Sequence, residues 1–234
     1  MRTFLTAAAL AICIAAPAAS ATRNFGITGF EKVRVEGPYK VRLTTGVAPF
    51  ASASGSPAAI DSVAIEMRGD TLVVHHNTAS WGGYPGKDAG PVEISLGTHD
   101  LNSAWTNGSG MLAIDKVRGL SFDLSVQGSA SATIGQANVD QLHVAIVGTG
   151  SATLAGQAGM MTAIVRGVSS LDATNLRIKD ATIGAEGTAT VAVYVSNSAK
   201  VDGSGPATVK LTGGPACTLR VTGSTSVSGC KSTQ

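Results

Sequence analysis

Along residues 108–223 apolar and polar side chains alternate, and a glycine punctuates the alternation about every twenty residues. The glycines are Gly108, Gly128, Gly148, Gly167, Gly187, Gly205 and Gly223, spaced 20, 20, 19, 20, 18 and 18 residues apart. Two, four and six residues before them stand sets such as Phe122, Leu124, Val126, then Leu142, Val144, Ile146, then Met161, Ala163, Val165. The intervening positions are mostly polar: Asp123, Ser125, Gln127, then His143, Ala145, Val147, then Thr162, Ile164, Arg166. This period of two predicts strands with one buried face. The parity continues after each glycine, through Leu112 and Ile114, Ala132 and Ile134, Ala152 and Leu154.

A fixed period of about twenty marks a stacked repeat. Glycine bends at an inward corner at little steric cost, so each glycine is expected to join two strands of one coil. A single coil cannot cover its own apolar face, so coils stack at about 4.8 Å. The chain is therefore expected to be all-β, a right-handed parallel β-helix (β-solenoid) of about six coils, the hand following from the crossover preference. Inward Ala, Val and Ser residues imply a narrow cross-section with little room for an internal ligand. A β-sandwich is the competing arrangement, but it gives no reason for glycines recurring in one phase.

Ahead of the repeats the spacing changes. Residues 30–37 and 39–43 read as strands, and 64–68 with 71–75 flank Gly69-Asp70 as a hairpin. These strands must bury an apolar side, and sealing the first coil is the economical way to do so. The organisation expected is a signal segment at 1–21, an N-terminal β region at 22–106 and the repeats at 107–234. The span 22–234 reads as one continuous domain.

Residues 1–21 carry Arg2, an apolar core from Leu5 to Ala16, and Ala19-Ser20-Ala21 as a cleavage site. This is the composition of an export signal. Ile12 ahead of Cys13 does not suit a lipid anchor, and no later apolar run reaches the twenty or so residues that cross a bilayer. The location expected is the periplasm or cell surface of a bacterium. Cys217 and Cys230 then remain, and in an oxidising compartment a lone pair is most simply one disulfide. Cys217 falls at an inward position of the last coil, so the bridge would cap the open end with the C-terminal tail. The formal net charge of +2, with no basic cluster, argues against nucleic acid as a partner.

The runs "ITGFEKVRVEGPYKVRLTTG" and "VAIEMRGDTLVVHH" resemble the opening of the DUF2807 family, described as a putative auto-transporter adhesin head GIN domain. The repeats "VQGSASATI", "IVGTGSATL" and "AEGTATVAV" resemble its coil corners, and "GGPACTLRVTGSTSVSGC" resembles its ending. The likeness implies a β-helix in a bacterial envelope or secreted protein and brings no catalytic residues. Full Gly-Ser-Gly corners are often replaced here, as by Gly-Val-Ser at 167–169.

Candidate chemistry is sparse. Some β-helices cleave polysaccharides with clustered carboxylates and a basic group. Asp123 and His143 share one offset on successive coils, but Thr162 and Thr182 follow in that ladder, so the pair reads as polar decoration. His75 and His76 are adjacent in a strand and point to opposite faces, and no zinc or calcium spacing appears. No cofactor is expected. The segment "NTASWGGYPGKDAGP" is long and glycine-rich, where loops carry function. It holds Trp81 and Tyr84, and Trp105 lies just ahead of the first coil. These three aromatics either stack on a sugar or plug the end of the first coil. The function expected is non-catalytic, the binding of an envelope glycan or surface protein. A purely structural envelope role is the alternative, followed by a polysaccharide-active enzyme.

Overall fold

The computed structural model describes residues 21–78 and 90–231. The signal segment apart from Ala21, and with it Cys13, lies outside them, as do Trp81 and Tyr84. In chain order the strands are β1 (Ala21–Phe25), β2 (Lys32–Glu36), β3 (Lys40–Thr45) and β4 (Phe50–Gly55). A short helix α1 (Pro57–Asp61) precedes β5 (Val63–Arg68), β6 (Thr71–His76), β7 (Val92–Thr98) and β8 (Ser103–Gly108). The long strands β9 (Met111–Gly128), β10 (Ser131–Gly148), β11 (Ser151–Gly167), β12 (Ser170–Gly187) and β13 (Thr190–Ser204) follow, then β14 (Thr208–Thr212), β15 (Ala216–Thr222) and β16 (Ser226–Ser228).

The long strands pair in parallel, each with the next, in the order β9-β10-β11-β12-β13. The result is a β-solenoid of about six turns. Register follows the repeat: Phe122 lies beside Leu142, Leu142 beside Met161, and Met161 beside Ala181. All four are buried and share one apolar core with the other coils.

Each coil is bent more than once. In the first long coil the buried residues are Leu112 and Ile114, then Val117, then Phe122, Leu124 and Val126. The alternation slips by one residue at Asp115-Lys116 and again at Leu120-Ser121, where two successive side chains face out. Two slips and the glycine corner enclose the core with three sides. The strand after the glycine makes the first side, the short stretch around Val117 the second, and the strand leading to the next glycine the third.

The repeat glycines do mark corners, but they do not point inward. Gly128 is exposed and Gly148 half-buried, and the corner residues that enter the core are Ala130 and Gly150, two positions on. What demands glycine is the column itself. Gly148 has φ +114°, and a Cβ there would stand 2.6 Å from the carbonyl oxygen of Gly128 one coil below. An L side chain is disfavoured by the backbone angle and excluded by the stack.

The N-terminal strands do more than lie on the first coil, because they extend the stack. β2 pairs in parallel with β8, β3 with β9, and the Gly37 N–H donates to Asn107 O at 2.9 Å, so Gly37 continues the glycine column. β6 and β7 form a further parallel layer on the other side of β2 and β3. The β2–β3 coil is thus inserted between two segments that follow it in sequence. Antiparallel strands then close this end: β5 on β6, β4 on β7, and β1 on β4. The hairpin around Gly69-Asp70 forms as expected. α1 starts at Ser56, whose hydroxyl accepts from the Ala59 N–H at 3.1 Å, with Pro57 at a position where no N–H is needed.

The opposite end is covered incompletely. Cys217 and Cys230 are joined, tying the tail back over the last coil. Even so, Leu219 and Val221, at core-facing parity in β15, remain 46% and 40% exposed.

Candidate functional site

The third side of the solenoid presents three outward rows, each supplying one residue per coil. The middle row takes the residue three before each glycine. It runs Arg34, Trp105, Ser125, Ala145, Ile164, each hydrogen-bonded laterally through its strand to the next. The row beside it runs Lys32, Ser103, Asp123, His143, Thr162.

Trp105 lies between Ala104 and Thr106, both fully buried, so strand alternation sends its indole outward and away from the core. A plug in the open end of a coil is therefore not the position it holds. The ring is half-buried, and the Arg34 guanidinium stacks on it 4.2 Å from the centroid. Arg34 comes from the rung on one side. On the other side the next two rungs carry only Ser125 and Ala145 in this row, and the third carries Ile164, 40% exposed. Large residues at both ends and small ones between leave a shallow trough of about 240 Å³. Its long edge is Ser103, Asp123, His143 and Thr162.

An apolar floor, an aromatic wall and one polar edge is the arrangement that holds a sugar ring or an amphipathic side chain. Apolar faces stack on the indole while hydroxyls reach the edge. Asp123 and His143 are direct neighbours across the parallel ladder and both are exposed. No hydrogen bond joins their side chains among the described residues. Nor do the described residues hold any group of three or more metal-ligating side chains.

Arg34, Ser125 and Ala145 were not singled out by sequence. The signal was present: Arg34 stands three residues before Gly37 as Trp105 does before Gly108. Recognising Gly37 as a member of the glycine column brings Arg34 and Trp105 to adjacent rungs.

The sequence profile of DUF2807, "Putative auto-transporter adhesin, head GIN domain", matches residues 29–215. The chain belongs to this family. The match takes in the column from Gly37 to Gly205 and every residue of the trough. No curated protein matches the chain. Among solved structures, it is similar to a "putative adhesin" from Bacteroides fragilis NCTC 9343, with TM-score 0.81 and 19% identity, covering 89% of this chain and 95% of that one. It is also similar to a "putative lipid binding protein" from Parabacteroides distasonis ATCC 8503, with TM-score 0.68, 17% identity and the same coverages. A third, a "putative adhesin" from Parabacteroides merdae ATCC 43184, has TM-score 0.66 and 14% identity, again over 89% and 95%. At these identities the likeness is one of fold. The descriptions of the family and of these neighbours are "putative" adhesin or lipid binding protein, and none names an enzyme.

Proposed function

We propose that the protein is an exported, non-catalytic recognition module of the bacterial envelope or cell surface that binds a glycan in the trough beside Trp105. The observation that carries this reading is the indole itself: a large aromatic ring on the outer wall, backed on one side by Arg34 and facing rungs of Ser125 and Ala145 on the other. Its neighbours on the next two rungs of the same row are only Ser125 and Ala145, so one face of the indole is left uncovered by the row. Adhesin-like family membership supports a surface or envelope role, and the composition of residues 1–21 supports export. Trp81 and Tyr84 remain candidate contacts on the segment that joins β6 to β7.

The test is a glycan and envelope-component binding screen with the purified mature protein and its Trp105→Ala variant, both checked by thermal unfolding. Binding that the folded variant loses supports the reading. Binding that it retains removes the trough as the site. No binding by either, together with unchanged surface phenotypes, favours a purely structural role. Because Asp123 and His143 line the trough in register, turnover of a polysaccharide that Asp123→Asn/His143→Gln abolishes would instead make this an enzyme.

A further inference from the structure

The second, narrow side of the solenoid carries a notch that arises from the one-residue shortening of a coil. β11 has 17 residues where β9, β10 and β12 have 18, and the missing residue accounts for the 19-residue step between Gly148 and Gly167. The register slips on both faces of β11, between Ile134 and Ala137 and between Thr153 and Ala155. At the same place its side chains shrink to Ala155, Gly156, Ala158 and Gly159. Gly156 has φ +117°, and a Cβ would lie 2.2 Å from Ala137 O, so the short coil turns more tightly than any side chain permits there. Full-sized coils flank the tight one, and a hollow of about 300 Å³ opens on the surface.

The outward side chains that line this notch are polar. Its spine is a column of one outward residue per coil, Arg118, Asn138, Gln157, Arg177, in register through the parallel ladder. Gln157 Nε2 donates to Asn138 Oδ1 at 2.8 Å, which fixes both amides and leaves the Asn138 N–H groups and the Gln157 oxygen directed elsewhere. Arg177 and Lys179 line one end and Asp140 the other.

The basic end forms no salt bridge among the described residues, although Lys179 is near enough to Asp180 to help the Ser198 and Asn197 hydrogen bonds hold that carboxyl below the usual range. Lys32, Arg34, Lys40 and Arg42 in the N-terminal coil, and Arg166 and Lys200 further on, all pair with carboxylates. Among the described residues Arg118, Arg177 and Lys179 pair with none. Asp180, next to Lys179, is turned to the following rung, where it accepts from Ser198 Oγ at 2.5 Å and Asn197 Nδ2 at 2.7 Å.

We infer that this notch binds an anionic sugar. Its carboxylate meets Arg177 and Lys179, and its hydroxyls meet the Asn138–Gln157 amides and Asp140. Arg presents paired donors suited to a carboxylate, and side-chain amides exchange hydrogen bonds with hydroxyls. From Asn138 to Arg177 is two rungs, about 10 Å, room for one ring with its acidic substituent. The proposal extends the recognition reading above, but its site lies on a different side of the solenoid and does not involve Trp105.

The experiment is a titration of ¹⁵N-labelled mature protein with trigalacturonate, neutral trigalactose and inorganic sulfate, following the side-chain amides of Asn138 and Gln157 and the Nε–H of Arg177. Trigalacturonate is expected to shift all three, and neutral sugar and sulfate to leave the two amides in place. Arg177→Gln should weaken trigalacturonate binding at least ten-fold, Gln157→Leu should weaken it too, and Trp105→Ala should leave it unchanged. Both notch residues are exposed, so thermal unfolding should match the unsubstituted protein. Absence of shifts, equal shifts with neutral sugar or sulfate, or full affinity in Arg177→Gln overturns the proposal. Loss of trigalacturonate binding in Trp105→Ala overturns it as well, and assigns the acidic ligand to the trough. Failure of neutral glycans to bind bears only on the trough.

Discussion

Arg34 and Trp105 are 71 residues apart in sequence and adjacent across a parallel ladder, with the guanidinium 4.2 Å from the indole centroid. Arg34 also pairs with Glu36 at 2.6 Å, so the cation is held from two directions and the ring in turn is held against the sheet. An exposed cation–π contact is worth about 0.5–1 kcal/mol. Arg34→Ala should therefore leave the fold intact and weaken any ligand held on Trp105 by roughly two- to five-fold, whereas Trp105→Ala abolishes it. Isothermal titration with the ligand found in the binding screen checks this, and an unchanged affinity would show that the ring needs no backing.

Thr106, the residue after Trp105, enters the core fully buried, and its hydroxyl has no hydrogen-bond partner among the described residues. Burying an unpaired hydroxyl costs about 1–3 kcal/mol, and valine has nearly the same shape. Thr106→Val is expected to raise stability by about 1 kcal/mol, seen as a rise of a few degrees in Tm. A lower Tm would mean that the hydroxyl is paired after all.

Gly148 and Gly69 separate two reasons for glycine. Both have positive φ, but a Cβ at Gly69 meets nothing within 4 Å while one at Gly148 meets the Gly128 carbonyl. Gly69→Ala should lose about 1 kcal/mol from the backbone conformation alone. Gly148→Ala should lose distinctly more, because two stacked coils must separate. Urea unfolding of the two variants measures the difference, and equal losses would remove the argument from the column.

The Cys217–Cys230 bridge closes a loop with a sequence separation of 13, which the chain-entropy model values at about 3 kcal/mol. Because Leu219 and Val221 of the same strand are already exposed, the double variant Cys217→Ser/Cys230→Ser should loosen the last coil before the rest. Hydrogen exchange is expected to rise across residues 216–231 while β9 to β12 stay protected. Uniform loss of protection would instead make the bridge a determinant of the whole stack.

The solenoid was legible in sequence because one period governs both glycine spacing and side-chain parity, and Phe122, Leu142 and Met161 stack as that period requires. The three-sided section was less so. Its second and third corners are slips of alternation at pairs such as Asp115-Lys116, with no glycine fixed in phase to mark them. The N-terminal layers were read as a separate region because Gly37 lies 71 residues before Gly108, and an insertion that size hides a period of twenty. Trp105 was found as an aromatic, but its orientation depends on parity with Ala104 and Thr106. The notch at Arg177 was present only as a step of 19 between two steps of 20.

The inserted β2–β3 coil has a consequence for how the protein is made. Its residues are synthesised before those of both neighbouring layers, which come from later chain, β6–β7 on one side and β8–β9 on the other. A stable seed needs the first hundred or so residues to be present together. Once the antiparallel strands have sealed one end, only the other edge can accept more chain, so each coil is laid down on its predecessor in order of emergence, each one templating the next. Fragments cut from the C-terminus should then keep a folded base, and fragments lacking β2–β3 should have none.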